Sequence, residues 1–142
     1  MSTLVVDASI VSKWFLHEGG SDAARELLKR NWILHAPDLL VAELGNLLWK
    51  RLERKELNLE GAELIMARLA AVPVVLAPVE QLTSMALRIA HLHRRSFYDC
   101  TYLALALREK CRMVTADLRF LNALRETPLS AYMADLSRLE AR

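Results

Sequence analysis

Two acidic side chains follow apolar runs that are typical of short β-strands. Asp7 ends the run that begins at Leu4, and Asp117 ends the run from Met113 to Ala116. In an open parallel sheet covered by helices, ligands and reactants bind at the carboxyl ends of the strands. Both acids are therefore candidate site residues. Each also has a second interpretation, because an aspartate at the start of a helix commonly accepts hydrogen bonds from free backbone N–H groups.

Glu43 lies within the apolar stripe of a predicted long helix. It is three or four residues from several leucines of that stripe, so it is expected to face inward. The stripe consists of Leu39, Leu40, Leu44, Leu47 and Leu48. A buried carboxylate without a partner is costly, which favours pairing with a cation or a metal. The alternative is a salt bridge to Lys50 or Arg51, but these residues lie two helical turns away.

Asp99 is the fourth acid with two interpretations. Ser96 lies three residues before it, and this spacing is that of a reciprocal capping box, here with Asp in place of the usual Glu. The following turns carry Tyr102 and Ala106 on the same side, which directs the carboxylate toward the predicted sheet. Capping and a site role both remain open for this residue.

Taken together, the four acids predict a cation site. Carboxylates that meet at one rim repel one another and raise each other's pKa unless a cation neutralises them. Oxygen ligands without His or Cys suit Mg²⁺ or Mn²⁺ rather than zinc. Divalent ions held in this way can activate water and stabilise the leaving oxygen in phosphodiester hydrolysis. The sequence contains no Gly-x-Ser-x-Gly elbow and no phosphate-binding glycine loop that would indicate a different chemistry.

The elements that must position these acids alternate between strand-like and helix-like patterns, which is typical of an α/β fold with parallel strands. The predicted strands are 4–6, 32–36, 74–76 and 113–116, with a possible fifth after Leu129. The predicted helices are 10–16, 21–30, 37–55, 59–71, 78–93, 97–110 and a short one from 118 to about 126. We expect one domain, 1–142, built as a three-layer α/β/α sandwich around a mainly parallel sheet of four to five strands.

Composition narrows the class of protein further. Hydrophobic residues make up 54% of the chain, which is high for a free-standing monomer, so a surface that binds a partner is expected. The net charge of +2 favours anionic partners only weakly. Two cysteines form no framework, which favours a reducing cytoplasm. The longest apolar run, from Leu69 to Val79, is too short to span a membrane, and no basic stretch precedes the first apolar run as in a signal peptide.

Four segments resemble, as an ordered set, the acidic motifs of PIN-domain nucleases, in particular the small VapC-type toxins. They are LVVDAS at the start, PDLLVAELGNLLWK around Glu43, YDCTYLALA around Asp99, and LREKCRMVTAD ending at Asp117. The resemblance runs from Leu4 to about Leu124. It implies a helix-covered parallel sheet and an Mg²⁺- or Mn²⁺-dependent endoribonuclease. It also implies a homodimer that a cognate antitoxin protein neutralises.

Carried over by position, the resemblance makes Asp7, Glu43, Asp99 and Asp117 the catalytic, metal-binding acids. It makes Ser9 and Thr115 polar neighbours that orient the site, and Asn46 matches a frequent polar position of the family.

Basic residues near the acids are candidates for contact with RNA phosphates. Arg94, Arg95 and Arg119 lie within a few residues of Asp99 or Asp117, although arginines at helix ends are commonly just solvated. Two other functions stay open. A degenerate PIN-like domain would act only as an interaction module, and an aspartate-based phosphatase would usually carry a second Asp at the position that Ser9 holds.

Overall fold

The computed structural model describes residues 2–139 and contains one sheet with helices packed on it. The strands are β1 (Ser2–Val6), β2 (Trp32–Pro37), β3 (Val74–Ala77), β4 (Arg112–Thr115) and β5 (Met133–Asp135). The helices are α1 (Ala8–Phe15), α2 (Ser21–Lys29), α3 (Leu39–Glu53), α4 (Leu59–Leu69), α5 (Thr83–His93), α6 (Phe97–Arg108) and α7 (Leu118–Leu124). Short 3₁₀ turns cover Val79–Gln81, Pro128–Tyr132 and Leu136–Arg138.

The sheet has five strands in the order β3-β2-β1-β4-β5, and every pairing is parallel. The predicted α/β sandwich is confirmed, and the sheet has the larger of the two expected strand numbers. The chain runs from β1 through β2 to β3, and then crosses back to β4 and β5 on the other side of β1. Because crossovers between parallel strands are right-handed, α1 to α4 lie on one face of the sheet and α5 to α7 on the other. β1 therefore lies at the centre, where the strand order reverses.

The core is formed by apolar side chains of the central strands and of α6. Val5, Val6 and Val114 are fully buried, and seven consecutive residues of α6, from Cys100 to Ala106, are buried as well. Because α6 is apolar around its circumference, it is stable only when protein surrounds it. Among residues 2–139, no helix has the length and apolar character that crossing a membrane requires.

Pro37 is where the sequence prediction was wrong. We expected Pro37 to begin the long helix, but it is the last residue of β2, opposite Ala77 of β3, and the helix begins at Leu39. The backbone N–H of Asp38 donates to the carbonyl of Ala77 at 2.8 Å, which prolongs the pairing by one residue. Proline tolerates the end of a strand because it needs no further ladder donor there.

Candidate functional site

Strand register brings Asp7 and Thr115 to the same level of the sheet. Val6 of β1 lies opposite Val114 of β4, so the next residues of the two strands are adjacent at the carboxyl edge. The Thr115 hydroxyl donates to Asp7 Oδ2 at 2.5 Å, across 108 positions of sequence. Ser9 Oγ donates to Asp7 Oδ1 at 2.6 Å and accepts from the backbone N–H of Ala116 at 3.2 Å. The two hydroxyls fix the carboxylate between the central strands.

Asp7 also caps α1, because its Oδ1 accepts from the Ile10 N–H at 3.2 Å. The capping interpretation is therefore correct, but capping does not require burial of the carboxylate. Burial raises the pKa of Asp7 to about 6, against the opposing effect of the hydrogen bonds from Ser9, Thr115 and Ile10. The negative charge of Asp99 raises it further. A cap with this pKa is a poor arrangement for stability alone.

Glu43 reaches the same edge of the sheet from α3. It is half-buried, and its Oε1 accepts a hydrogen bond of 2.6 Å from the Tyr102 hydroxyl of α6. Burial raises the pKa of Glu43, and the negative charge of Asp99 raises it further, while the hydrogen bond from Tyr102 lowers it. The salt bridge considered from the sequence does not form, because Arg51 pairs with Glu18 and Glu56 instead.

Tyr102 is the site residue that sequence reasoning missed. Its side chain is only 2% exposed, and burial followed by the charge of Glu43 raises the pKa of its hydroxyl far above the usual range. The phenol therefore stays protonated and acts only as a donor to the carboxylate. The available signal was its spacing, since Tyr102 lies three residues after Asp99 and so on the same face of the helix.

Asp99 connects the other acids electrostatically. Burial raises its pKa, and the charge of Asp117 raises it further. A hydrogen bond from the Ser96 side chain and the nearby Arg95 guanidinium lower it. Ser96 Oγ accepts from the Asp99 N–H at 3.1 Å, which is one half of the capping box considered above.

Asp117 is also a helix cap, with Oδ1 accepting from the backbone N–H groups of Arg119 and Phe120. Its own N–H donates to the Thr115 hydroxyl at 3.0 Å, the same hydroxyl that donates to Asp7. Asp117 is thus tied to Asp7 through one threonine. The four acids thus meet at one edge of the sheet.

The three candidate arginines differ in their surroundings. Arg95 lies 3.7 Å from Asp99 Oδ2 and over the ring of Phe120 at 5.3 Å from its centroid, and its buried Nε has no hydrogen-bond partner among residues 2–139. Arg94 is exposed and has a left-handed backbone with φ of 54°. Arg119 is exposed beside Asp117, where its backbone rather than its side chain contacts the acid.

The carboxylate oxygens of the site accept hydrogen bonds from protein groups. Across residues 2–139, no group of three or more His, Cys, Asp or Glu side chains is placed so that it could hold a metal ion as it stands. The oxygens of Asp7, Glu43 and Asp117 accept from hydroxyls or backbone N–H groups instead. The donor set is nevertheless all oxygen and lacks His and Cys, which is the chemistry that Mg²⁺ and Mn²⁺ prefer.

Fold and site together define an α/β sandwich protein with an acidic centre at the carboxyl edge of a parallel sheet. Residues 4–125 match the PIN domain family. The chain belongs to the PIN-domain family.

Individual relatives agree with this assignment. The chain is 29% identical to Ribonuclease VapC3 of Pyrobaculum aerophilum over 116 residues, which is 80% of this chain and 88% of that protein. Its fold is similar to the crystal structure of PAE2754 from Pyrobaculum aerophilum, with a TM-score of 0.66, 24% identity and coverage of 96% of this chain and 85% of that one. It is also similar to the Mycobacterium tuberculosis toxin VapC20, titled as cleaving the sarcin-ricin loop, with a TM-score of 0.61, 18% identity and coverage of 75% and 83%.

Proposed function

We propose that this protein is a metal-dependent endoribonuclease, built as a single nuclease domain, and that it is the toxin of a toxin–antitoxin pair. The observation that carries the proposal is the set of linked acids at the carboxyl edge of the sheet. Burial and mutual repulsion raise the pKa values of Asp7, Glu43 and Asp99, and within residues 2–139 the ion pair at these acids is that of Arg95 with Asp99. A fold that retains this repulsion gains from a bound divalent cation.

The residues fit Mg²⁺ or Mn²⁺ by their chemistry, and Asp7, Asp99 and Asp117 would hold the ion. When bound, such an ion lowers the pKa of a water and stabilises the leaving oxygen of a phosphodiester. Ser9 and Thr115 orient the Asp7 carboxylate, and Tyr102 orients that of Glu43. In this proposal Glu43 supplies the remaining carboxylate of the catalytic set.

The arginines supply the cationic side of the site. Arg94, Arg95 and Arg119 flank the acids, and we propose that they contact RNA phosphates. Arg95 is held over Phe120 and directs its guanidinium toward the acidic centre, so it is the best placed of the three. Asn46 lies one turn beyond Glu43 on α3 and supplies a neutral polar group.

The partners follow from the relatives and from exposed apolar side chains. We propose a cytoplasmic homodimer that a cognate antitoxin neutralises. Several large apolar side chains of α5 are exposed to solvent, namely Met85, Leu87 and Leu92. Met85 and Leu92 are seven residues apart and so share one face of α5, and exposed apolar surface on one face commonly marks an interaction site. Molar mass in solution, and co-purification of a protein encoded by the neighbouring reading frame, test this part of the proposal.

RNA cleavage tests the enzymatic part. Purified protein should cut single-stranded RNA in Mg²⁺ or Mn²⁺, lose activity in chelator, and recover when the ion is restored. Asp7→Asn should abolish cleavage while the variant remains folded by circular dichroism. Absence of cleavage by the folded wild type under all these conditions would favour an interaction module. Hydrolysis of phosphomonoesters but not of RNA would favour a phosphatase.

A further inference from the structure

A groove runs along α3 beside the acids, and it shares Glu43 and Asn46 with the proposed site. Its volume is about 450 Å³. Glu43, Asn46 and Lys50 line it from α3, Leu39 and Leu47 supply apolar wall, and Tyr98 of α6 lies across from them. We call this the α3 groove. Glu43, Asn46 and Lys50 recur every three or four residues, so they share one face of the helix over about 10 Å.

Tyr98 supplies an exposed aromatic ring to the α3 groove. Its side chain is 59% exposed, although it lies in the first turn of α6, next to Asp99 and two residues before the buried run that begins at Cys100. Phe97 meets it edge-on, with ring centroids 6.4 Å apart. Among residues 2–139, no hydrogen-bond partner of the phenol is found. An exposed, braced ring of this kind is a platform on which an unstacked base can stack.

The remaining walls complement a nucleotide rather than an apolar peptide. Asn46 is exposed, and its amide offers both donors and an acceptor, as the edge of a base requires. Lys50 is exposed and makes no ion pair within the described range 2–139, so its charge is available to a phosphate. Glu43 and Ala8, the neighbour of Asp7, line the same groove, so a base in the groove keeps its own phosphate close to the acidic centre.

We propose that the α3 groove binds one unstacked base of single-stranded RNA beside the phosphodiester that is cut. Tyr98 stacks on the base, Asn46 contacts its edge, and Lys50 attracts the adjoining phosphate. This inference rests on the proposed ribonuclease activity and adds the subsite that selects single-stranded substrate at that position.

The experiment couples a protein variant to an RNA variant. The cut bond is first mapped on wild-type protein with a short single-stranded oligoribonucleotide. Affinity is then measured by fluorescence anisotropy in an Asp7→Asn background, so that the RNA stays intact. Tyr98→Ala is compared with Tyr98→Phe, which keeps the stacking ring, and with Trp49→Ala. Trp49 is a matched control because it is 54% exposed on α3 but does not line the groove.

Tyr98→Ala should weaken binding of the intact RNA by about 5- to 150-fold, the usual loss when one stacking platform is removed. The same variant should have less than about a two-fold effect on RNA that is abasic next to the cut bond, because the partner is already missing. Tyr98→Phe and Trp49→Ala should bind intact RNA within about two-fold of the parent, since neither removes the platform.

Three outcomes would overturn the inference. Equal losses on intact and abasic RNA would show that Tyr98 does not meet that base. A wild-type dimer that becomes monomeric only in Tyr98→Ala would show that a second copy covers the groove. If Tyr98→Ala binds RNA as tightly as Trp49→Ala does while the wild type still cleaves RNA, the proposed base subsite is wrong and the proposed ribonuclease activity is unaffected. If the folded wild type cleaves no RNA, the proposed function itself fails.

Discussion

Asp7→Asn should make the metal-free protein more stable at neutral pH. The folded protein raises the pKa of Asp7 from 3.8 to about 6, so folding favours the protonated form. The resulting decrease in the free energy of unfolding is absent below about pH 4, grows as the pH rises through 6, and is complete above it. Asparagine carries no charge and remains a good helix cap, so it removes the penalty and keeps the bond to Ile10.

The shift of about two pKa units sets an upper limit of about 3 kcal/mol for this gain, at 1.36 kcal/mol per unit. The amide accepts less well from the hydroxyls of Ser9 and Thr115, so we expect a gain of about 1 to 3 kcal/mol at pH 7.5. For a chain of this length that is about 3 to 10 °C in unfolding temperature. Near pH 4 the two proteins should be about equally stable.

The assay is urea unfolding in chelator, followed by tryptophan fluorescence at several values between pH 4 and pH 7.5. Asp22→Asn is the control, because Asp22 is an exposed aspartate in the first turn of α2. This exposed control should not become more stable than wild type at pH 7.5, because an acid in the first turn of a helix is favourable. A variant Asp7→Asn that is less stable than wild type by the same amount at every pH would refute the reasoning, since Asp7 would then act only as a cap.

Three further results are expected. Mg²⁺ added to metal-free wild type at 100 times Kd should raise the free energy of unfolding by about 2.7 kcal/mol, and Asp99→Asn should lose most of this response. Equal responses would contradict the assignment of Asp99 as a ligand. Tyr102→Phe should lower kcat for RNA cleavage by about 10- to 150-fold with little change in KM, because Glu43 loses the hydrogen bond from the Tyr102 hydroxyl. Activity within two-fold of wild type would remove Tyr102 from the site. The double variant Arg94→Gly, Arg95→Ala should reduce the slope of log RNA affinity against log salt concentration by about 1.4. Glycine is used at position 94 because it suits the left-handed backbone there. An unchanged slope would exclude both arginines from phosphate contact.

The sequence predicted most elements because local signals mark them. Asn58 stands immediately before the predicted helix 59–71 and caps α4, with its side chain accepting from the Gly61 N–H at 2.8 Å. β3 lies at an edge of the sheet, directly after Pro73, a residue that suits an edge strand. β5 is only three residues long, and its pairing with β4 is a long-range event that local pattern does not encode.

The acids could be nominated from the sequence, but their connections could not. The hydrogen bond from Tyr102 to Glu43 joins helices on opposite faces of the sheet, and the bond from Thr115 to Asp7 joins the two central strands. Such contacts depend on the strand order, which places β1 between β2 and β4. Spacing along the chain contains no information on that order.

The central position of β1 has a consequence for synthesis of the protein. One wall of the acidic centre is made at residue 7 and the opposite wall at residues 115–117, so a ribosome must deliver nearly the whole chain before the two can meet. A fragment that stops earlier lacks β4, so Asp7 loses the hydroxyl of Thr115 and keeps only that of Ser9. If the proposed ribonuclease activity holds, incomplete chains would lack an assembled acidic centre and would be harmless to the ribosome that is making them.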